Sequence, residues 1–148
     1  MSRVFFIDRD LGRHILPEAL ERAGFAVERH DLHFEPDTPD EVWIPQVAQR
    51  GWVIVSGDRK ILRRPQEVRA LVESQARMLI LVGNHAPADE LASNLINTMD
   101  KIDELLDRMV PPAVVRVYRP SPRELVAQGR PGSVQPKALK KPGAQPPR

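Results

Sequence analysis

A chain of 148 residues, 41% hydrophobic and 28% charged, is long enough for one domain with a proper core and little more. It has no cysteine, which excludes disulfides, thiolate metal sites and a cysteine nucleophile, and its apolar runs are too short to span a bilayer. The net charge of +2 hides an asymmetry, because from Arg119 onward seven bases face the single acid Glu124, so that this end carries +6 and the remainder −4.

In chain order, Arg3–Ile7 is a β-branched and aromatic run that predicts a buried strand, with Asp8 directly after it. Entering a strand so early leaves no room for a secretory signal, so a cytoplasmic protein without a membrane segment is expected. Asp8–Arg13 is a polar loop containing Gly12. His14–Ala23 has Ile15, Leu16, Ala19 and Leu20 on one helical face and Gly24 as its stop, and Pro17 sets the start near Leu16. Phe25–Arg29 predicts a second strand and His30–Asp37 a loop. Thr38-Pro39-Asp40-Glu41 has the form of a helix start, with Thr38 as cap, Pro39 at the first helical position and Glu41 able to reach back to the cap. Val42, Trp43, Ile44, Val47 and Ala48 make the buried face, while Pro45 predicts a kink or a later start. After Gly51 come a third strand, Trp52–Ser56, a basic loop around Asp58, a helix over Pro65–Glu73 and a fourth strand, Arg77–Val82. Leu91, Leu95, Ile96, Met99, Ile102, Leu105 and Leu106 recur at three and four, which predicts one long helix over Pro87–Arg108. Pro111-Pro112 stops it, and Ala113–Tyr118 reads as a fifth strand. The rest is rich in Pro, Gly, Ser, Gln, Lys and Arg, a composition that buries too little to order itself. The organisation expected is a folded domain, 1–120, and a disordered basic tail, 121–148.

Strands and helices in strict alternation predict an α/β sandwich, with helices on both faces of a mainly parallel sheet of about five strands. Ligands in such sheets bind beyond the carboxyl ends of the strands. Asp8, Asp58 and Asn84 fall at such ends, and the helix start with Asp40 and Glu41 belongs to the same edge. Crowded carboxylates repel one another unless a cation neutralises them. An all-oxygen site at an open cleft suits Mg²⁺ or Mn²⁺, which points to hydrolysis of a phosphodiester without a covalent intermediate. Each acid also has a plainer reading. Asp8 or Asp10 could cap a helix, Glu41 fits a capping box, Asp40 gains from the positive helix start, and Asp58 could pair with Arg59 or Lys60. The four histidines lack metal-ligand spacing and are assigned surface or loop roles. Arg9, Arg13, Arg59, Lys60, Arg63 and Arg64 would rim the cleft and hold nucleic-acid phosphates, and the basic tail could add non-specific affinity for RNA.

Three segments carry a resemblance: Asp8-Arg9-Asp10-Leu11-Gly12-Arg13, Asp37-Thr38-Pro39-Asp40-Glu41 with Trp43, and Gly51-Trp52-Val53-Ile54-Val55 running to Asp58-Arg59-Lys60-Ile61. Together they resemble the PIN-like domains of the VapC toxin type, over about Arg3 to Tyr118. The resemblance implies a PIN-like fold and Mg²⁺- or Mn²⁺-dependent cleavage of RNA, often as the toxin of a toxin–antitoxin pair. Carried over by position, the first-strand acid is Asp8, the helix acid is Asp40 or Glu41 and the later strand acid is Asp58; the catalytic set expected is Asp8, Glu41 and Asp58, with Asp8, Asp40, Glu41 and Asp58 holding the metal. An antitoxin protein and a second copy of the chain are partners the resemblance leaves open. The chain departs from the pattern at Lys60, where similar sequences have a fourth acid; Asn84 offers a neutral oxygen in its place. Two other readings stay open. One is a PIN-like shell that binds RNA or a partner without catalysis. The other is a phosphoacceptor receiver, which the residues disfavour, since Gly83-Asn84-His85 and Arg119-Pro120 lack its hydroxyl residue and lysine.

Overall fold

The computed structural model describes residues 3–83 and 85–139, and the alternation read from the sequence becomes one mixed sheet between two helix layers. The parallel strands are β1 (Val4–Ile7), β2 (Ala26–Arg29), β3 (Val53–Ser56), β4 (Arg77–Leu81) and β5 (Ala113–Tyr118). A sixth strand, β6 (Ser133–Lys137), adds antiparallel to β5, giving the order β2-β1-β3-β4-β5-β6. The helices are α1 (Ile15–Arg22), α2 (Asp40–Gln49), α3 (Pro65–Glu73) and α4 (Ala88–Arg108). None of the described helices is long and apolar enough to cross a membrane.

Alternate residues of the buried strands feed two cores, as the period of two requires. Phe5, Ile7, Val55, Leu79, Val115 and Val117 meet Leu16 and Leu20 of α1 and Leu95, Met99 and Ile102 of α4. Phe6, Ile54, Met78, Ile80 and Val114 meet Trp43, Ile44 and Val47 of α2 and Leu71 of α3. Strand order reverses at β1, which has β2 on one side and β3 on the other, so the crevice beyond β1 and β3 is the place where such a sheet binds ligands.

Four expectations are corrected. Residues 121–139 are not disordered: they form a 3-10 turn, Arg123–Val126, and then β6. Composition misjudged them because their order comes from α4. Thr98 Oγ1 accepts from the Gly132 N–H at 2.9 Å, Lys101 Nζ donates to the Gly132 carbonyl at 2.9 Å, and Asn97 donates to the Val126 carbonyl at 3.0 Å. Glu90 pairs with both Arg119 and Arg123. Second, the sheet among the described residues therefore has six strands, the five read from the sequence and β6. Third, α2 begins at Asp40 behind an extended Pro39, with no side-chain cap bond from Thr38. Pro45 sits inside α2; the hydrogen bond it cannot make belongs to the carbonyl of Glu41, in the exposed first turn where water can serve it. Fourth, His30 is buried at 2% exposure, packed against Phe6, Phe34 and Trp43. Asn84 and residues 140–148, the far end of the expected tail, lie outside the described residues.

Candidate active site

The loops after β1 and β3 are stitched together by their own acids. Asp8 extends the β1–β3 ladder by one step, its N–H donating to the Val55 carbonyl at 2.9 Å. Ser56, buried at the end of β3, donates its hydroxyl to Asp8 Oδ2 at 2.9 Å and accepts the Asp58 N–H at 3.1 Å. Asp10 Oδ2 accepts the Gly57 N–H at 3.0 Å. Asp58 Oδ1 accepts the Lys60 N–H at 2.9 Å, a local turn that fixes its rotamer. One serine thus joins two of the sequence-predicted acids.

The other wall comes from α2 and α3. Asp40, in the first turn of α2, accepts the indole N–H of the fully buried Trp43 at 2.9 Å. This satisfies the one polar atom of that side chain and aims the carboxylate at the cleft. Arg64, just before α3, reaches across: its Nη1 lies 3.7 Å from Asp40, 3.5 Å from Asp58 and 3.0 Å from Glu67. Glu67 takes two hydrogen bonds from Arg64, at 3.0 and 3.1 Å, and is 5% exposed. Residues Asp8, Asp40, Glu41, Glu67, Arg9 and His30 line a cavity of about 310 Å³ at this edge.

Confinement raises several of these carboxyls. Asp8 is pushed up from 3.8 to about 6, by burial first and by the charges of Asp40 and Asp58, against the lowering effect of the Ser56 hydroxyl. Asp10 is pushed to about 7, again by desolvation first and then by Asp8. Asp10 is itself exposed, so water relieves part of that penalty. Glu67 rises from 4.5 to about 7, because burial and Asp40 outweigh Arg64. Burial lowers His30, helped by the charge of Arg9, so its imidazole is neutral at neutral pH.

The predicted residues therefore divide. Asp8, Asp40 and Asp58 converge. Glu41 lines the same cavity from an exposed position in the helix start, with no polar partner among the described residues. Arg9 donates to the Pro36 carbonyl, and Arg9 and Arg13 line an adjoining hollow. Arg59 and Lys60 are exposed on the 3-10 turn Arg59–Leu62. Glu67 was missed. The signal was present: it sits four residues before Leu71 and one before Val68, on the apolar face of α3, where an acid is informative because acids are rarely buried alone.

The donor set is carboxylate and hydroxyl oxygen throughout, the chemistry that suits Mg²⁺ or Mn²⁺. Asp8 and Asp10 have no basic partner among the described residues, so a cation could relieve the repulsion that raises them. Among the described residues no three His, Asp or Glu side chains stand as a ready-made cage. Arg64 occupies the space between Asp40, Asp58 and Glu67 and supplies the positive charge there. Such ions normally need only one or two carboxylates with water, so the donor types at Asp8 and its neighbours fit a bound ion.

Residues 3–83 match the family described as PIN-like domain. The chain is also 28% identical over 101 residues to a protein of Mycobacterium tuberculosis named as a candidate ribonuclease, VapC45. That match spans 66% of this chain and 73% of the relative.

Proposed function

Since the chain belongs to the PIN-like domain family, we propose that it is a Mg²⁺- or Mn²⁺-dependent endoribonuclease of the VapC type, acting on cytoplasmic RNA as the toxin of a toxin–antitoxin pair. The observation that carries this reading is the pair of raised carboxyls, Asp8 and Asp10, tied through Ser56 and Gly57 to Asp58 at the switch point of the sheet.

Asp8, Asp40 and Asp58 are the acids assigned to hold the ion, with Glu41 at the outer rim of the same cavity. Glu67 takes the part of the fourth acid, absent at Lys60. When bound, the divalent ion supplies the activation of water and the polarisation of the phosphodiester. Ser56 holds Asp8 in one rotamer, and Trp43 does the same for Asp40, so neither carboxylate must be ordered on binding. Arg64 holds Asp40, Asp58 and Glu67 together by charge, and a guanidinium at this position would also suit a substrate phosphate. Arg9, Arg13, Arg59 and Lys60 hold flanking phosphates, a sequence-independent contact that should be strongly salt-dependent.

Incubation of the purified protein with end-labelled RNA in Mn²⁺ or in EDTA tests the reading. Cleavage is expected only with the ion, and is expected to be lost in Asp58→Asn. Equal cleavage by Asp58→Asn and the parent overturns the assignment. In the host, expression is expected to arrest growth, and Asp58→Asn to relieve it. A second reading, a binding module without catalysis, is favoured by Arg64 filling the carboxylate ring. Calorimetry separates the two: no Mn²⁺ binding, with RNA binding retained, favours the module.

A further inference from the structure

On the far side of the turn that presents Asp58 and Arg64 lies a second cleft, of about 320 Å³, lined by Arg59, Arg63, Arg116, Tyr118 and Lys137 over Leu62 and Val82. It exists because the α2–α3 layer stops short of the sheet's edge. On β5 that layer covers Val114, but Arg116 and Tyr118, two and four residues on, project from the same sheet face beyond it. Lys137 of β6 stands directly opposite Val114 and so joins this face. The segment that composition marked as disordered therefore supplies one wall.

No acid lines the cleft, and none of its four bases forms an ion pair among the described residues. Arginines with a structural task in this protein are paired: Arg3 with Asp103, Arg64 with Glu67, Arg119 with Glu90. Four bases gathered without counter-charge repel one another, and an anion from outside would reverse that. The aromatic ring among them narrows the choice. Duplex RNA hides the faces of its bases, whereas a single strand can lay a base on Tyr118 while its phosphates meet the arginines.

We propose that this cleft, lined by Arg59, Arg63, Arg116, Tyr118 and Lys137, is a binding site for single-stranded RNA, leading the strand from the β5–β6 edge across the turn to the acidic crevice. The proposal rests on the ribonuclease reading for its biological sense but not for its test.

The test measures binding of a short fluorescein-labelled single-stranded RNA to the full-length protein by anisotropy, in EDTA, across a salt series. Arg116→Gln/Lys137→Gln is expected to weaken binding by about ten-fold and to reduce the slope of log Kd against log salt by about 1.4, roughly 0.7 for each lost phosphate contact. Tyr118→Leu is expected to weaken it by about five-fold or more. Arg59→Gln/Arg63→Gln, on the exposed turn, repeats the charge test without touching β5 or β6. Unchanged affinity and slope in both double variants, or no RNA binding by the parent, overturns the proposal. So does competition by polyglutamate as strong as that by unlabelled RNA, which would make the cleft a seat for an acidic protein. Cleavage in Mn²⁺ keeps the two readings apart. Binding that depends on the cleft without any cleavage leaves the cleft standing and removes the nuclease. Cleavage with indifferent cleft variants does the reverse.

Discussion

Three carboxyls at this edge hold their protons close to neutral pH: Asp8 to about 6, Asp10 and Glu67 to about 7. Their ordinary values are 3.8 for aspartate and 4.5 for glutamate. Between those limits the folded state binds more protons than the unfolded chain, so stability falls as pH rises through the window and levels off above it. His30 acts oppositely, since a buried imidazole of lowered pKa costs stability as pH falls below 6.5. Without divalent ions, the three carboxyls outweigh the one imidazole, and the melting temperature is expected to decline from about pH 4.5 to about pH 7 and to level off above. Asp10→Asn should flatten that decline, and a thermal melt followed by circular dichroism at several pH values reads both. Asp8→Asn separates stability from activity. It is expected to raise the melting temperature at pH 8, by removing a repelled charge while leaving an oxygen for Ser56. It should also lower Mn²⁺-dependent cleavage by about a hundred-fold or more, the scale of metal-assisted stabilisation. A variant that loses stability and keeps activity would contradict both halves.

Among the elements, α3 does most to shape the site. Its residue Glu67 and the preceding Arg64 form a pair of unequal depth, 6% and 40% exposed at the side chain. Breaking a fully buried pair costs about 3–5 kcal/mol. Here Arg64 is reached by water and Glu67 can take up a proton, so Arg64→Ala is expected to cost only about 1 kcal/mol. The same change vacates the space between Asp40 and Asp58. The rise in melting temperature on adding Mn²⁺ should therefore be larger for Arg64→Ala than for the parent, in side-by-side scanning fluorimetry. An equal or smaller rise would mean that Arg64 does not compete with the ion.

For the molecule as a whole, the decisive element is the last one. Gly132 is buried, and a Cβ placed on it would lie 1.8 Å from the Tyr118 carbonyl oxygen. Gly132→Ala must move β6 off β5 or strain the loop, at an expected cost of about 1–3 kcal/mol or more, read from the urea midpoint. Truncation after Pro120 removes β6 and leaves β5 as an open, apolar edge, so that shortened chain is expected to aggregate or melt without cooperativity. Truncation after Leu139 keeps every described strand and should melt like the full protein. If both truncations melt alike, β6 contributes nothing and the original boundary was right.

Periodicity in the sequence determined the order of strands and helices through Tyr118, the parallel sheet and the sheet edge that carries Asp8, Asp58 and the start of α2, because these follow from local patterns and the right-handed crossover. Read alone, the sequence favoured Glu41 over Asp40 as the helix acid, and only the structure shows Asp40 turned toward Trp43 and Arg64. The family could be read in three short segments for the same reason. What only the tertiary structure decided was which side chains face one another across separated elements. His30, in an aromatic pocket, carries no local mark of that role, and Glu67 shows only that an acid sits on the apolar face of α3, not that Arg64 and Asp40 stand beside it. The order of β6 was equally hidden, since it is held by polar groups of α4 that composition counts as solvent-loving. Long-range contacts of this kind satisfy hydrogen bonds and desolvate charges at a distance in sequence, and no window of neighbouring residues records them.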